Sequence, residues 1–224
     1  MIKMTRPVTM EREETIGTEL SSEEIANALT HGIGILLGLV GVPLLMAFGA
    51  ASGDWNLMLG LAVFSFSLLL VYVTSTIYHS VITRRLKQVF RRLDHISIYF
   101  LIAGTHTPFL LYYLPNATGL FFLGILWGMV ALGIIYKLFF FGRLEILSVL
   151  FYLGMGWMAV FTIPPMLQQM SDTCLYWIIG GGVSYTVGVA FYLWERLPYH
   201  HAVWHLFVIG GTFGHYMALL NMVG

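Results

Sequence analysis

His201 and His205 open the last apolar run of the chain, within the string Pro198-Tyr199-His200-His201-Ala202-Val203-Trp204-His205. On a helix, a spacing of four residues puts both imidazoles on one face, near enough to share a metal ion. The plainer reading is a pair of interfacial histidines at the end of a membrane helix. Other reactive residues fall where a metal site would need them. His79 closes one apolar run, Asp94 begins the next, and Ser75 lies one helical turn before His79 on the same face. Zinc takes neutral imidazoles and carboxylates in tetrahedral sets, and catalytic zinc keeps one position for water. His79, His201 and His205 would supply three ligands. Asp94 is then either a fourth ligand or the general base for a water that zinc activates near neutral pH. The Ser75 hydroxyl suits a hydrogen bond to a substrate carbonyl or its developing oxyanion. A three-histidine set favours zinc, and spacing alone leaves iron and copper open. Cys174 is the only cysteine, so neither an internal disulfide nor a cysteine metal cluster is expected.

The elements that must carry these residues are membrane helices. Of the 224 residues, 58% are hydrophobic and 10% charged, against about a quarter charged in a soluble domain. A bilayer core takes roughly 20 apolar residues in helical form. Seven such runs occur, near 29–50, 56–80, 95–114, 118–139, 145–165, 174–194 and 203–222. Short breakers separate them, including Ser52-Gly53-Asp54, Leu114-Pro115-Asn116, Gly142-Arg143 and the stretch from Gln168 to Asp172. The expected organisation is a short cytoplasmic tail, 1–22, followed by a single seven-helix domain, 23–224. The tail lacks the apolar core of a signal peptide. Ser21-Ser22-Glu23-Glu24 has capping-box spacing, so the first helix is expected to start near Ser22 and enter the membrane past Asn27 and His31.

The basic residues orient the bundle. All 11 lysines and arginines fall on one side of a seven-span layout, among them Arg84, Arg85, Lys87, Arg91 and Arg92 between the second and third runs. The positive-inside rule makes that side cytoplasmic. The fold expected is therefore an all-α integral membrane protein. It is a seven-transmembrane helix bundle with a cytoplasmic N-terminus and an extracytoplasmic C-terminus, multi-pass in the plasma (inner) membrane. With these directions the second run ends, and the third and seventh begin, at the cytoplasmic leaflet. His79, Asp94, His201 and His205 then share one depth, and an unpaired Asp94 there would be costly.

The remaining histidines read differently. His95 points about 100° away from Asp94 around its helix. His106 lies roughly 18 Å deeper than Asp94, and His215 about 15 Å beyond His205. Both are expected to make interhelical hydrogen bonds. His31 is the closest candidate for an additional site residue, and His200 is expected among the headgroups. Glu145 and Glu195 read as solvated helix ends. Gly210, Gly211 and Gly214 read as close-packing positions, and Trp55, Trp177 and Tyr199 as interfacial anchors.

Ser75-Thr76-Ile77-Tyr78-His79, the run from Leu93 to Phe109 and Pro198 to His205 together resemble the hemolysin III family. This is the bacterial branch of the progestin and adipoQ receptor family, related to alkaline ceramidases. The likeness extends from Glu23-Glu24-Ile25-Ala26-Asn27 through Thr30-His31-Gly32 to His215. It implies a seven-helix bundle with an intracellular N-terminus and a zinc near the cytoplasmic leaflet on His79, His201 and His205. Asp94 would act through water, with Ser75 beside it, in a possible hydrolase of lipid amides such as ceramide. The long N-terminal region and extended tail of adiponectin receptors have no counterpart here, and a hormone-receptor role is not expected.

The function expected is zinc-dependent hydrolysis of lipid amides or esters, contributing to membrane homeostasis. The rival is a non-enzymatic sensor of membrane state with a structural zinc. A secreted cytolysin fits poorly with seven apolar spans, and haemolysis could instead reflect membrane disturbance. A transporter is disfavoured because the ionisable residues cluster at one face. Membrane lipids are the expected partners, and nucleic acid is not.

Overall fold

The computed structural model describes residues 20–142 and 145–222, and these are organised almost wholly as helices. α1 spans Ser22–Ser52, α2 Trp55–Ser80, α3 Arg84–Tyr113 and α4 Ala117–Phe139. α5 spans Glu145–Trp157 and is followed by a single turn, α6 (Ala159–Thr162), and a 3-10 turn at Pro164–Met166. α7 spans Asp172–Leu193 and α8 His200–Leu220. The helices begin where polar side chains can take the free N–H groups of a first turn. Ser21 accepts from the Glu24 amide, Asp54 from Leu57, Asn116 from Thr118 and Gly119, and Ser171 from Cys174. α1 ends at Gly53, whose φ of 69° permits the left-handed turn into α2.

Six segments are long and apolar enough to cross a membrane: α1, α2, α4, Glu145–Met166, α7 and α8. Their outward faces are apolar, with Leu36, Val40, Leu120, Phe121 and Phe161 all exposed. The protein is thus a multi-pass membrane protein. α3 does not join the six by composition. Its first turns carry Arg84, Arg85, Lys87, Arg91 and Arg92, and its second half carries Thr105, His106, Thr107 and Pro108. The basic stretch Arg84–Arg92, expected as a connection, is helical, and the connection is confined to 81–83. The fifth apolar run is also broken. Pro164 and Pro165 cannot donate amide hydrogens, so the continuous helix stops before them. Of the expected tail, 1–22, only residues 20–22 lie among those described.

α2 and α3 form the centre, and α4 and α5 pack on the outer side of α3. α1 packs against both α2 and α8, and α8 in turn against α7. α5 and α7 meet only briefly, and a cavity lies between them. In lipid no hydrophobic force draws apolar helices together, so close backbone approach carries the packing. A Cβ on Gly60 would come within 2.4 Å of the Pro108 Cα, and one on Gly104 within 2.4 Å of Ser67 Oγ. Across α7 and α8, a Cβ on Gly211 would strike the Tyr185 ring at 2.6 Å, and one on Gly214 the Gly181 Cα at 2.9 Å. A Cβ on Gly210 meets Ser184 Oγ at 2.9 Å, so all three glycines of α8 sit in close contacts as their spacing implied.

Gly60→Ala should therefore push α2 from α3 and destabilise the bundle by about 1–3 kcal/mol, read as a lower melting temperature in detergent. Gly124→Ala, where nothing lies within 4 Å, should melt no lower than the parent. Equal melting of the two variants would refute this account of the α2–α3 contact.

Candidate metal centre

Helix termini gathered at one end of the bundle build the centre. His79 lies in the last turn of α2, and His201 and His205 in the first two turns of α8. Immediately before α8, Tyr199 adopts φ 56°, the only positive φ of a non-glycine among the described residues. That conformation costs a non-glycine residue about 1–3 kcal/mol, and α1 holds it in place. The Tyr199 N–H donates to Glu23 Oε1 at 3.1 Å, and its hydroxyl donates to Ser22 Oγ at 3.2 Å. Tyr199 is therefore a tie between α1 and α8.

The ligand atoms of His79, His201 and His205 all lie within 4.8 Å of one another, and the trio could hold a metal ion. Hydrogen bonds decide which nitrogens face its middle. His79 Nδ1 donates to Glu24 Oε2 at 2.5 Å, while its Nε2 is buried with no partner. The Thr30 hydroxyl donates to the Ala26 and Asn27 carbonyls, so it accepts from His205 Nδ1 at 3.0 Å. The Asn27 carbonyl is a second acceptor for that nitrogen at 3.2 Å. In both histidines the proton sits on Nδ1 and Nε2 keeps its lone pair. Outer hydrogen bonds of this kind orient metal-binding imidazoles and strengthen them as donors. A buried nitrogen without a partner is costly. The orphaned His79 Nε2 is thus the observation that makes these residues fit a metal.

Glu24 escaped the sequence reading, which placed it only in a capping box. Half of that box forms, since Ser21 Oγ accepts from the Glu24 N–H at 3.2 Å. The carboxylate does not return to the cap. It accepts from His79 on one oxygen and from Lys87 Nζ at 2.7 Å on the other. An acidic residue in a first turn already has a local explanation in the helix dipole, so nothing in the string pointed to His79.

Asp94 is buried in the third turn of α3 and stands outside the trio, lining the cavity with His201 and His205. Ser75 is fully buried, and its Oγ has no hydrogen-bond partner at bonding distance. The Asp94 carboxyl is near enough to interact with it. His31 stacks on His205 with centroids 3.5 Å apart and 16° between planes. Both of its nitrogens are buried without partners, and it adjoins the trio without belonging to it.

The other histidines depart in detail from expectation. His215 Nδ1 bonds the Gly211 carbonyl in its own helix rather than a neighbour, because the carbonyl one turn back is the nearest acceptor. His106 bonds its own Ile102 carbonyl at 2.9 Å and also approaches the Gly156 carbonyl of α5. His95 receives the Lys137 ammonium at 3.2 Å on Nδ1. Lys137 itself is buried. His200 reaches the Phe191 carbonyl at 3.3 Å and is half-buried. Glu145 pairs with Arg91 at 3.2 Å at the exposed surface, and Glu195 is exposed. Trp55 is exposed at the start of α2, whereas Trp177 packs edge-on against Phe213.

The cavity holds about 500 Å³ and runs from Asp94, His201 and His205 past Tyr152 and Trp204 to Met166 and Met170. Its walls are mostly apolar and come from α3, α5, α7, α8 and the broken segment after α5.

Residues 20–216 match the family model described as haemolysin-III related. The chain belongs to that family. The match takes in every element of the centre. Hemolysin-3 homolog of Bacillus subtilis (strain 168) is 41% identical over 199 residues, covering 88% of this chain and 93% of its own length. Hemolysin-3 of Bacillus cereus is 40% identical over 203 residues, covering 91% and 93%. Monocyte to macrophage differentiation factor of Homo sapiens is 28% identical over 204 residues, covering 88% and 83%. This more distant relative supports the link to the progestin and adipoQ receptor family. No solved structure matches the chain significantly.

Glu24→Gln should weaken metal binding about 10–100-fold, measured by chelator competition, with helicity unchanged. His205→Ala should lose most of the metal and His106→Ala should retain it. Equal metal content in the two histidine variants would show that the trio is not the ligand set.

Proposed function

We propose that this protein is a zinc-dependent hydrolase of lipid amides or esters. The observation that carries this reading is that Asp94 lines an apolar cavity together with His201 and His205, two of the three metal-competent imidazoles, and lies near Ser75. His79, His201 and His205 would hold the zinc, with Glu24, Thr30 and the Asn27 carbonyl fixing two of the rings. When bound, zinc supplies a Lewis acid and an activated water. Asp94 takes the proton of the attacking water and delivers it to the departing amine or alcohol. The Ser75 hydroxyl, near Asp94, would donate to the carbonyl oxygen of the substrate as negative charge grows there. The cavity takes the acyl chain and excludes bulk water from the reacting carbonyl. Such an activity would contribute to membrane homeostasis.

The same reading includes the topology. α3, 30 residues long, is taken as the seventh crossing despite its basic start, because it runs through the centre between α2 and α4. The grouping of the basic residues supports a cytoplasmic N-terminus and metal centre in the plasma membrane, with the C-terminus outside. A reporter placed within 81–83 should accordingly read as cytoplasmic and one after Gly224 as extracytoplasmic. A cytoplasmic C-terminus would overturn this arrangement.

A second reading, a membrane-state sensor with structural zinc, draws on the ties of α1, α2 and α8 around the trio. Asp94 and Ser75 separate the two. For a hydrolase, Asp94→Asn should keep zinc but abolish turnover, since asparagine cannot take a proton at neutral pH. Ser75→Ala should reduce turnover by about 10²–10³-fold. Zinc content and lipid products would be measured on the same purified samples. A zinc-loaded parent that is inert on ceramides, phospholipids and acyl amides would sink the enzyme reading in favour of the sensor.

A further inference from the structure

The far end of the cavity is chemically unlike its apolar walls, and the metal centre does not account for it. His215, Thr105, Tyr185 and Thr186 line it there, with His106 opposite. By helical rise, His215 lies about 15 Å from His205. Polar side chains at this depth in a bilayer must find partners.

The available hydrogens at this end are already used. Thr105 donates to the Leu101 carbonyl at 2.7 Å, and Thr186 to the Gly182 carbonyl at 2.8 Å. Thr212 donates to the Val208 carbonyl at 2.9 Å, so the Tyr185 hydroxyl donates to Thr212 Oγ1, also at 2.9 Å. His215 Nδ1 faces the Gly211 carbonyl at 2.8 Å, an acceptor, so the proton of the neutral ring is on Nδ1. Its Nε2 is left as a lone pair with no hydrogen-bond partner among the described residues.

Turning the ring would break the Nδ1 bond to the Gly211 carbonyl. The ring stacks on Tyr185 with 21° between planes. The α7 backbone at Gly181 crowds its other side, where a Cβ would fall 2.4 Å from His215 Nδ1. The deep end therefore offers a fixed acceptor and no free hydroxyl donor.

We propose that this end of the cavity is a subsite for a hydroxyl group carried on a lipid acyl chain, which donates to His215 Nε2. This deepens the hydrolase reading and rests on it. The head of the lipid lies at Asp94 and the trio, and the hydroxyl lies well down the chain. A keto or ester oxygen at the same position brings an acceptor to an acceptor and is not favoured.

The test uses full-length, zinc-loaded protein in detergent and displacement of a fluorescent fatty acid. The competitors are stearate, a mid-chain hydroxystearate and the matching ketostearate. The hydroxy acid should compete about five- to tenfold better than either of the others, as one hydrogen bond warrants. His215→Leu should equalise hydroxystearate and stearate while stearate itself still binds. Wild-type protein that treats the three alike, or that favours the hydroxy and keto chains equally over stearate, overturns the subsite but leaves the hydrolase reading standing. A preference that survives in His215→Leu overturns the assignment to His215. Should that variant fail to fold, the ranking of the three acids on wild type decides the matter. Should none of them displace the probe from folded, zinc-loaded protein, the cavity does not take acyl chains, and the hydrolase reading falls with the subsite.

Discussion

The hydrogen bond from His79 to Glu24 is the constraint on which the metal-competent end of the bundle depends. It fixes the tautomer of an imidazole at the end of α2 by means of a carboxylate at the start of α1. Lys87 on α3 holds the other oxygen of the same carboxylate. One side chain thus sets three helix ends relative to one another. α8 is brought to the same place by α1 as well, through Thr30, the Asn27 carbonyl, Ser22 and Glu23. α1 has few buried residues and packs mainly through glycines and Leu45. Its contribution is concentrated in its polar first turns, where it supplies the outer hydrogen bonds of two imidazoles.

That arrangement needs helices that do not slide. Close approaches at Gly60, Gly181 and Gly211 give the register its precision, since each places backbone or a rigid ring where a methyl group would collide. Packing of this kind is short-ranged and sensitive to axial displacement. It suits a site whose ligand atoms come from opposite ends of separate sequence segments.

Much of the architecture was legible because the bilayer imposes a simple length and polarity code. The run boundaries, the breakers and the grouping of His79 with His201 and His205 follow from that code and from helical spacing. What escaped had local explanations that were sufficient in themselves. Glu24 and Glu23 looked like helix-start acids, and their deciding partners lie dozens of residues or more away. Arg84–Arg92 looked like a connection and is helical. His106 and His215 were expected to bond neighbouring helices; His106 reaches both its own Ile102 and Gly156 of α5, whereas His215 bonds the Gly211 carbonyl one turn back in its own helix. The break after α5 was visible as Pro164-Pro165, although the length of the apolar run concealed its effect.

That break bears on what the cavity can contain. Pro164 and Pro165 have no N–H to offer the carbonyls of Val160 and Phe161, which would be their partners in a continuous helix. Bare carbonyls are tolerated at membrane depth only where they line a space that can hydrate them, and Val160 is part of the cavity wall. The break after α5 therefore sets the Val160 carbonyl, without the backbone donor a continuous helix would give it, at the wall of an otherwise apolar cavity. A wholly apolar occupant would leave that carbonyl without a partner, whereas an occupant carrying a hydrogen-bond donor could supply one.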